Sequence, residues 1–187
     1  MEVQNRRHIA KTISYRIIST GIGFGIVWLA SGSIKVGATF SYEEFNIPFI
    51  RSSQLYNQFR FRGTENFTAG ADYIYNKGKY QFFGEAAISK SKGKAFLQGA
   101  VIQLNDQLSF SALFRHLEKN YHANWSNTFT EGSNTNNESG MYFGAQLLPF
   151  KYISVSAYSD YYQSNWIDFT TAAPANGWDI LTQANFV

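Results

Sequence analysis

Three carboxylates beyond residue 50 could support acid–base chemistry if folding brought them together. Glu85 paired with Asp72 or with Asp160 would provide a proton donor and a proton acceptor. Arginines occur in the same segment, and a buried carboxylate is more commonly neutralised by a partner of opposite charge than used as an acid or base. We therefore interpret the charges of this segment as candidates for an interior network in the lumen of a barrel: Arg60, Arg62, Asp72, Glu85, Arg115 and Asp160.

A second group with possible chemistry consists of His116, Glu118 and His122. The first two would share one face of a strand, whereas His122 follows a turn, and no further ligands cluster near them. The chain contains no cysteine, which excludes a thiolate metal site and a cysteine nucleophile. Serine, histidine and aspartate occur without a nucleophile-elbow pattern. The sequence thus predicts a non-enzymatic protein with no catalytic residue, no metal site and no cofactor.

Three glycines near the N-terminus, Gly21, Gly23 and Gly25, could in principle form a phosphate loop. No strand precedes them, and neither a third glycine at the required spacing nor a downstream acidic residue follows. Gly21 and Gly25 lie four residues apart and could let another helix approach closely. Small residues are also simply tolerated in a spanning helix, so both interpretations of this pair stay open.

The composition suits a membrane β-protein better than a soluble domain. Aromatic residues make up 18% of the 187 residues and charged residues 16%, which is rich in rings and poor in charge for a soluble domain. Aromatic girdles and lipid-facing strands would account for both values. The net charge is only +3, and the basic residues are dispersed outside the N-terminal region. We therefore predict a lipid bilayer as partner and no nucleic acid.

The N-terminal region has the charge pattern of a membrane-inserted segment. Basic residues precede an apolar stretch over residues 17–38, which at about 22 residues is long enough to cross a bilayer as a helix with its N-terminus inside. The basic residues are Arg6, Arg7, Lys11 and Arg16. Ala30 and Gly32 also stand where a signal peptidase would read small residues. The segment 1–41 is therefore interpreted as a retained transmembrane helix, with a cleaved signal peptide as the alternative.

The remaining segment, residues 42–187, alternates apolar and polar residues in runs of about ten. Such a period of two predicts β-strands, and strands of this length suit a tilted membrane span better than a soluble fold. The candidate strands are 54–62, 66–75, 80–89, 95–104, 107–117, 121–129, 140–150, 152–162 and 178–186. The fold class predicted is mainly β: an antiparallel meander of about nine strands, forming a partial or open outer-membrane-type β-barrel, preceded by one N-terminal transmembrane α-helix. A soluble sandwich, with the ring-rich face buried instead of lipid-facing, is the alternative.

Two parts of the chain resemble known families. Residues 7–20, R-H-I-A-K-T-I-S-Y-R-I-I-S-T, and residues 28–37, W-L-A-S-G-S-I-K-V-G, make the region from about 6 to 41 resemble the first half of a small predicted membrane-protein family, domain of unknown function 2061. That family implies a helical hairpin. Its second-helix motif has no counterpart after Ser41, so only half of the pattern is present.

The second resemblance covers residues 55–187. The stretches L-Y-N-Q-F-R-F-R-G at 55–63, F-G-E-A-A at 83–87 and D-Y-Y at 160–162 are similar to the barrel region of Bacteroidetes helix-hairpin-helix-containing proteins. This resemblance implies an outer-membrane barrel without a defined biochemical role. The hairpin region that names the family is absent here, so no DNA function is implied.

The sequence as a whole predicts an integral membrane protein in which a membrane helix joins part of an outer-membrane barrel, as a fused or truncated product. The alternative is an exported barrel, released from a signal peptide, that binds a small apolar ligand or forms part of a pore. The location would be the outer membrane if the N-terminus acts as a signal and the inner membrane if the helix is retained. Because an open meander leaves strand edges unpaired, we expect self-association or another chain to complete the sheet.

Overall fold

The protein is an antiparallel β-meander. The computed structural model describes residues 29–31, 34–50, 52–124, 126, 128–132 and 134–186. Eight long strands and one three-residue edge strand form a single sheet in sequence order: β1 Leu29–Ser31, β2 Ile34–Phe49, β3 Gly63–Lys77, β4 Tyr80–Ser89, β5 Lys94–Gln103, β6 Leu108–Leu117, β7 Glu138–Phe150, β8 Ile153–Ser164 and β9 Asn176–Phe186. Within the described residues β1 and β9 do not pair, so the sheet is open. The prediction of a mainly β antiparallel meander is confirmed.

The register between neighbouring strands is continuous except at two points. It shifts between Glu44 and Phe49 in β2 and between Leu147 and Phe150 in β7. Each interval contains a proline, Pro48 or Pro149 in the sequence. Proline has no N–H to give to the strand ladder, so an irregularity is expected where one occurs.

Strand β2 begins inside the segment predicted to be a transmembrane helix. Most of that segment lies outside the described residues, but its described end, residues 29–31 and 34–38, is strand, so the helix prediction is wrong there. The cause is visible in the sequence, because Ile34, Val36 and Phe40 alternate with polar or small residues at the period of a strand. No helix in the described part of the chain has the length and hydrophobicity needed to cross a membrane. Residues 41 and 42, where two segments were predicted to meet, are consecutive positions of β2.

Two predicted strands are loops instead. Residues 54–62 contain a short 3-10 turn at Leu55–Asn57, and residues 121–129 have no regular structure where they are described. The strands on either side of each segment already pair with each other, β2 with β3 and β6 with β7. Alternation alone cannot make a strand where no free edge is available to accept it.

The two faces of the sheet differ in polarity. Directly opposed residues of neighbouring strands share a face, and one such row crosses the sheet: Gly37, Asp72, Glu85, Leu97, Arg115, Gly140 and Tyr162. We call the face containing this row the inner face. The opposite, outer face exposes large hydrophobic side chains, among them Phe143 at 56% and Ile180 at 69%. Among the described residues only four hydrophobic side chains are buried, namely Leu113, Leu117, Tyr121 and Ala123, so the fold has no large apolar interior.

Connections differ in length at the two ends of the sheet. At one end, short turns join β3 to β4, β5 to β6 and β7 to β8. At the other, which we call the loop end, residues 50–62, 118–137 and 165–175 form long connections, and only the β4–β5 turn is short. The long connections lie next to the inner face, where they enclose the candidate site.

Candidate functional site

The centre of the inner face is a buried ion-pair triad. The Nε of Arg115 donates to Glu138 Oε1 at 2.7 Å, and its Nη1 donates to Asp160 Oδ1 at 2.8 Å. The Arg115 side chain is fully buried, and the two carboxylate side chains are 7% and 1% exposed. Gly140, directly opposite Arg115 on β7, leaves room for the guanidinium, since a Cβ there would lie 2.5 Å from Arg115 Cζ. Three strands are thus tied together by one side chain.

The triad also holds a loop against the sheet. Glu138 accepts hydrogen bonds from the backbone N–H groups of Glu131 and Gly132, each at 3.1 Å to Oε2. The ring of Phe129 lies 5.1 Å from Arg115 Cζ, within reach of a cation–π interaction. The first residue of β7 therefore neutralises the arginine and anchors the preceding loop at the same time.

The first part of the same loop is attached through side chains of β2, β3 and β4. Asn66 donates to the His122 carbonyl at 3.0 Å, Ser89 Oγ accepts from the His122 N–H at 3.2 Å, and Asn124 donates to Glu43 Oε2 at 2.7 Å. These contacts explain why a polar loop lies on the inner face rather than extending into solvent.

Burial in this loop shifts the pKa of three side chains. It lowers the pKa of His122 to about 4, so the imidazole is neutral at neutral pH. The pKa of Tyr121 is raised by burial and then by the charges of Glu85 and Glu43. The pKa of Glu131 is also raised, first by burial and then by Asp160.

A cation–π clamp joins the loops to one another. The Lys119 Nζ lies 4.2 Å from the centre of the Phe59 ring and 4.5 Å from that of Trp166. The Trp166 Nε1 donates to the Leu55 carbonyl at 3.4 Å, and Tyr56 meets Phe169 edge to face at 5.7 Å. Residues of three separate connections therefore form one assembly at the loop end.

Below and between these loops lies a cavity of about 860 Å³. Its walls combine aromatic side chains, amides and hydroxyls from all three loops, including Tyr56, Phe59, Asn137, Trp166 and Thr171. A second cavity of about 510 Å³ adjoins it around Arg62 and Asn66.

The structure places four of the six predicted lumen charges on the inner face. Arg115 and Asp160 bond directly to each other, and Asp72 and Glu85 are paired across β3 and β4. Arg60 and Arg62 belong to the β2–β3 loop instead; Arg60 lines both cavities, and Arg62 lines the smaller one. The candidate helix-packing glycines Gly21 and Gly25 lie outside the described residues.

The structure separates the three residues considered as metal ligands. His116 faces outward with Nδ1 2.8 Å from Ser139 Oγ, whereas His122 is a buried residue of the β6–β7 loop on the inner face. Glu118 Oε2 accepts from the Lys94 N–H at 2.9 Å.

Sequence reasoning missed two central residues, Glu138 and Lys119. Glu138 could have been found from its position two residues before Gly140. Residues two apart in a strand share a face, and Arg115 lies opposite Gly140 on that face. No comparable signal existed for Lys119, whose aromatic partners Phe59 and Trp166 are distant in sequence.

These features define the chain as an open antiparallel meander with a charged inner face and an apolar outer face. One protein-family profile, described as Predicted membrane protein (DUF2061), matches residues 9–47. No curated protein matches the chain. No solved structure matches it either. The matched region ends within β2, so most of the meander lies beyond it.

Proposed function

We propose that this chain is a non-enzymatic membrane protein whose strands span the bilayer, with the outer face against lipid and the inner face lining a polar interior. The observation that carries the proposal is the distribution of charge between the two faces. Eight charged side chains of the strands lie at inner-face positions: Lys35, Glu43, Asp72, Glu85, Arg115, Glu138, Asp160 and Asp179.

The outer face supports the same assignment. Charged residues occur there only near strand ends within the described strands, at Glu44, Glu65, Lys77 and Lys94. Between these ends the outward positions are mainly aromatic, aliphatic or alanine, and the polar Gln98 accepts a hydrogen bond from Tyr73 at 2.8 Å. In a soluble sandwich this face would be buried, whereas in a membrane β-protein it faces lipid.

The unequal ends of the sheet and its strand lengths are also consistent with a membrane β-protein. Outer-membrane barrels have short turns on one side and long loops on the other, and the eight long strands contain between 10 and 16 residues, enough for a tilted span. We therefore propose an outer-membrane type of protein, in line with the resemblance of residues 55–187 to Bacteroidetes barrels.

The N-terminal segment admits two forms of this proposal. As a signal peptide it would direct the chain to the outer membrane. As a retained helix joined to the sheet it would make the chain a fused or truncated product, held in the inner membrane. Separation of inner from outer membranes, followed by N-terminal sequencing of the mature chain, distinguishes the two forms.

A polar interior favours a water-filled space or pore over a pocket for an apolar ligand. Other charged residues at inner-face positions, Lys35, Asp72 and Asp179, are exposed or half-buried, and they would disfavour an apolar guest. The open edges support association with a second copy or another chain, since unpaired backbone groups cannot remain exposed to lipid.

Adjacent residues of β6 provide the sharpest test of lipid contact. Phe110 faces outward and Ser109 inward, and the chain contains no cysteine, so single-cysteine variants can be labelled without background. In vesicles, we expect brominated lipid to quench a bimane fluorophore on the F110C variant and to leave the S109C variant unquenched. Equal quenching at both positions, or solubility of the full chain without detergent, would refute the proposal.

A further inference from the structure

The loop-end cavity has the size and composition of a ligand site, which the proposed membrane role does not require. Its volume of about 860 Å³ falls in the range of roughly 300–1,000 Å³ common for small-molecule sites. Eight aromatic residues and five asparagines are among the residues that line it. The lining is therefore rich in ring faces and in neutral hydrogen-bonding groups.

Several charged side chains of the cavity wall already have partners within the protein. The Lys119 ammonium lies over the rings of Phe59 and Trp166, and Glu138 is paired with Arg115. The His122 imidazole is neutral above its lowered pKa of about 4. The remaining charged residues of the lining are Arg60, Glu131 and Asp168, so both signs are present and neither strongly exceeds the other.

Several buried polar atoms of the residues that line the cavity lack partners within the described residues. The amide nitrogens of Asn136 and Asn137 donate to the carbonyls of Lys119 and Trp166, at 3.3 and 3.2 Å. Asn137 Oδ1 and Thr171 Oγ1 have no hydrogen bond.

The adjoining cavity has the same feature. Asn66, which lines it, is 1% exposed, and its Oδ1 is also unpaired. Because unpaired buried acceptors are costly, these positions suit a ligand that carries hydrogen-bond donors.

We propose that the loop-end cavity binds a neutral oligosaccharide. Sugar hydroxyls can hydrogen-bond to the amides and hydroxyls of the lining residues, and the C–H faces of a pyranose ring fit the electron-rich faces of aromatic side chains. A neutral polyhydroxylated ligand also matches a wall that carries charges of both signs. The loops that form the cavity come from three connections at one end of the sheet, so the ligand would enter from that end.

The test uses the full chain in detergent, applied to an array of neutral and acidic glycans and followed by calorimetry with the neutral glycan that binds best. The Thr171→Val variant removes one unpaired hydroxyl while keeping the side-chain shape. We expect its affinity to fall about three- to tenfold, the effect of one hydrogen bond, while its unfolding temperature stays the same or rises, because a buried hydroxyl without a partner is removed. The matched control is Thr182→Val, the same substitution at an outward, exposed position of β9, which should bind like the wild type.

Three results would overturn the assignment: no neutral glycan bound on the array, a preference for acidic glycans, or equal affinities for the two valine variants. None of them bears on lipid contact by the strands, which is measured separately by the quenching of labels on β6.

Discussion

At the scale of single residues, the energetic centre of the molecule is Arg115. Replacing it with methionine would leave Glu138 and Asp160 without their cation in a buried environment. We expect the free energy of unfolding to fall by about 3–5 kcal/mol, the range for breaking a buried ion pair from one side. Urea unfolding of the detergent-solubilised protein measures this loss.

An exposed ion pair of the same chain provides the control for that experiment. Lys90 and Glu65 are 2.9 Å apart, but their side chains are 46% and 48% exposed. Solvent-exposed pairs contribute about 0–1 kcal/mol, so Lys90→Met should unfold almost like the wild type. Equal losses of unfolding free energy for the two methionine variants would contradict the burial of the Arg115 ion pairs.

His122 makes stability depend on acidity in a defined range. Its pKa is about 4 in the folded protein, against 6.5 as the ordinary value, because it is buried. The unfolded chain therefore binds the proton first, and the contribution of His122 to stability is complete above pH 6.5 and lost as the pH falls towards 4. The loss amounts to roughly 1–3 kcal/mol.

The His122→Phe variant keeps a ring beside Phe61, which lies 5.7 Å from the imidazole, centre to centre, and cannot titrate. Its free energy of unfolding should decline less steeply than that of the wild type between pH 6.5 and 4, because all other groups are common to both proteins. Parallel curves over that range would contradict the burial of a neutral imidazole.

At the scale of elements, the strands β6 and β7 depend on a glycine to accommodate the arginine. A Cβ at Gly140 would lie 2.5 Å from Arg115 Cζ, whereas one at Gly70 would meet its nearest neighbour at 3.4 Å. We expect Gly140→Ala to destabilise the protein by about 1–3 kcal/mol, as overpacking does. Gly70→Ala, also at an inward strand position, should be neutral or slightly stabilising. Thermal unfolding of both variants decides between steric conflict and a general intolerance of alanine in the strands.

The same elements show how far the sequence predicts this fold. Alternation located the strands that contain Glu85, Arg115 and Asp160, because a period of two is a local property. The prediction failed at residues 34–38, because apolar content and a family resemblance were followed there instead of the alternation, which was that of a strand. Alternation also predicted strands at residues 54–62 and 121–129, which are loops. Whether an alternating segment joins a sheet depends on a free neighbouring edge.

The candidate site was less predictable than the strands for a related reason. The contact of Arg115 with Asp160 follows from strand faces, and both residues were among the predicted lumen charges. The clamp of Lys119 between Phe59 and Trp166 depends on the path of three loops, which no local pattern encodes.

At the scale of the whole molecule, the open sheet makes association the expected state. Strand β9 pairs only with β8 in the described structure, so the backbone groups on its other side are available to a second chain. In detergent, we expect light scattering to show a dimer or larger assembly. A monodisperse monomer would contradict the expectation directly.

A cysteine scan locates the contact if it forms. Outward residues of β9, such as Ile180 and Thr182, are changed singly to cysteine, and the oxidised protein is examined for disulfide-linked dimers. A disulfide requires Cα atoms within about 7 Å. If two β9 strands pair antiparallel, the yield of disulfide-linked dimer should therefore be highest at the one position where a residue faces its own copy. The same scan along β8, using Ala157 and Ser159, should give none, since those positions lie one strand spacing of about 4.8 Å further from the edge on each chain. Equal cross-linking along both strands would indicate nonspecific aggregation, and no cross-linking in β9 despite a dimer would place the contact elsewhere on the sheet.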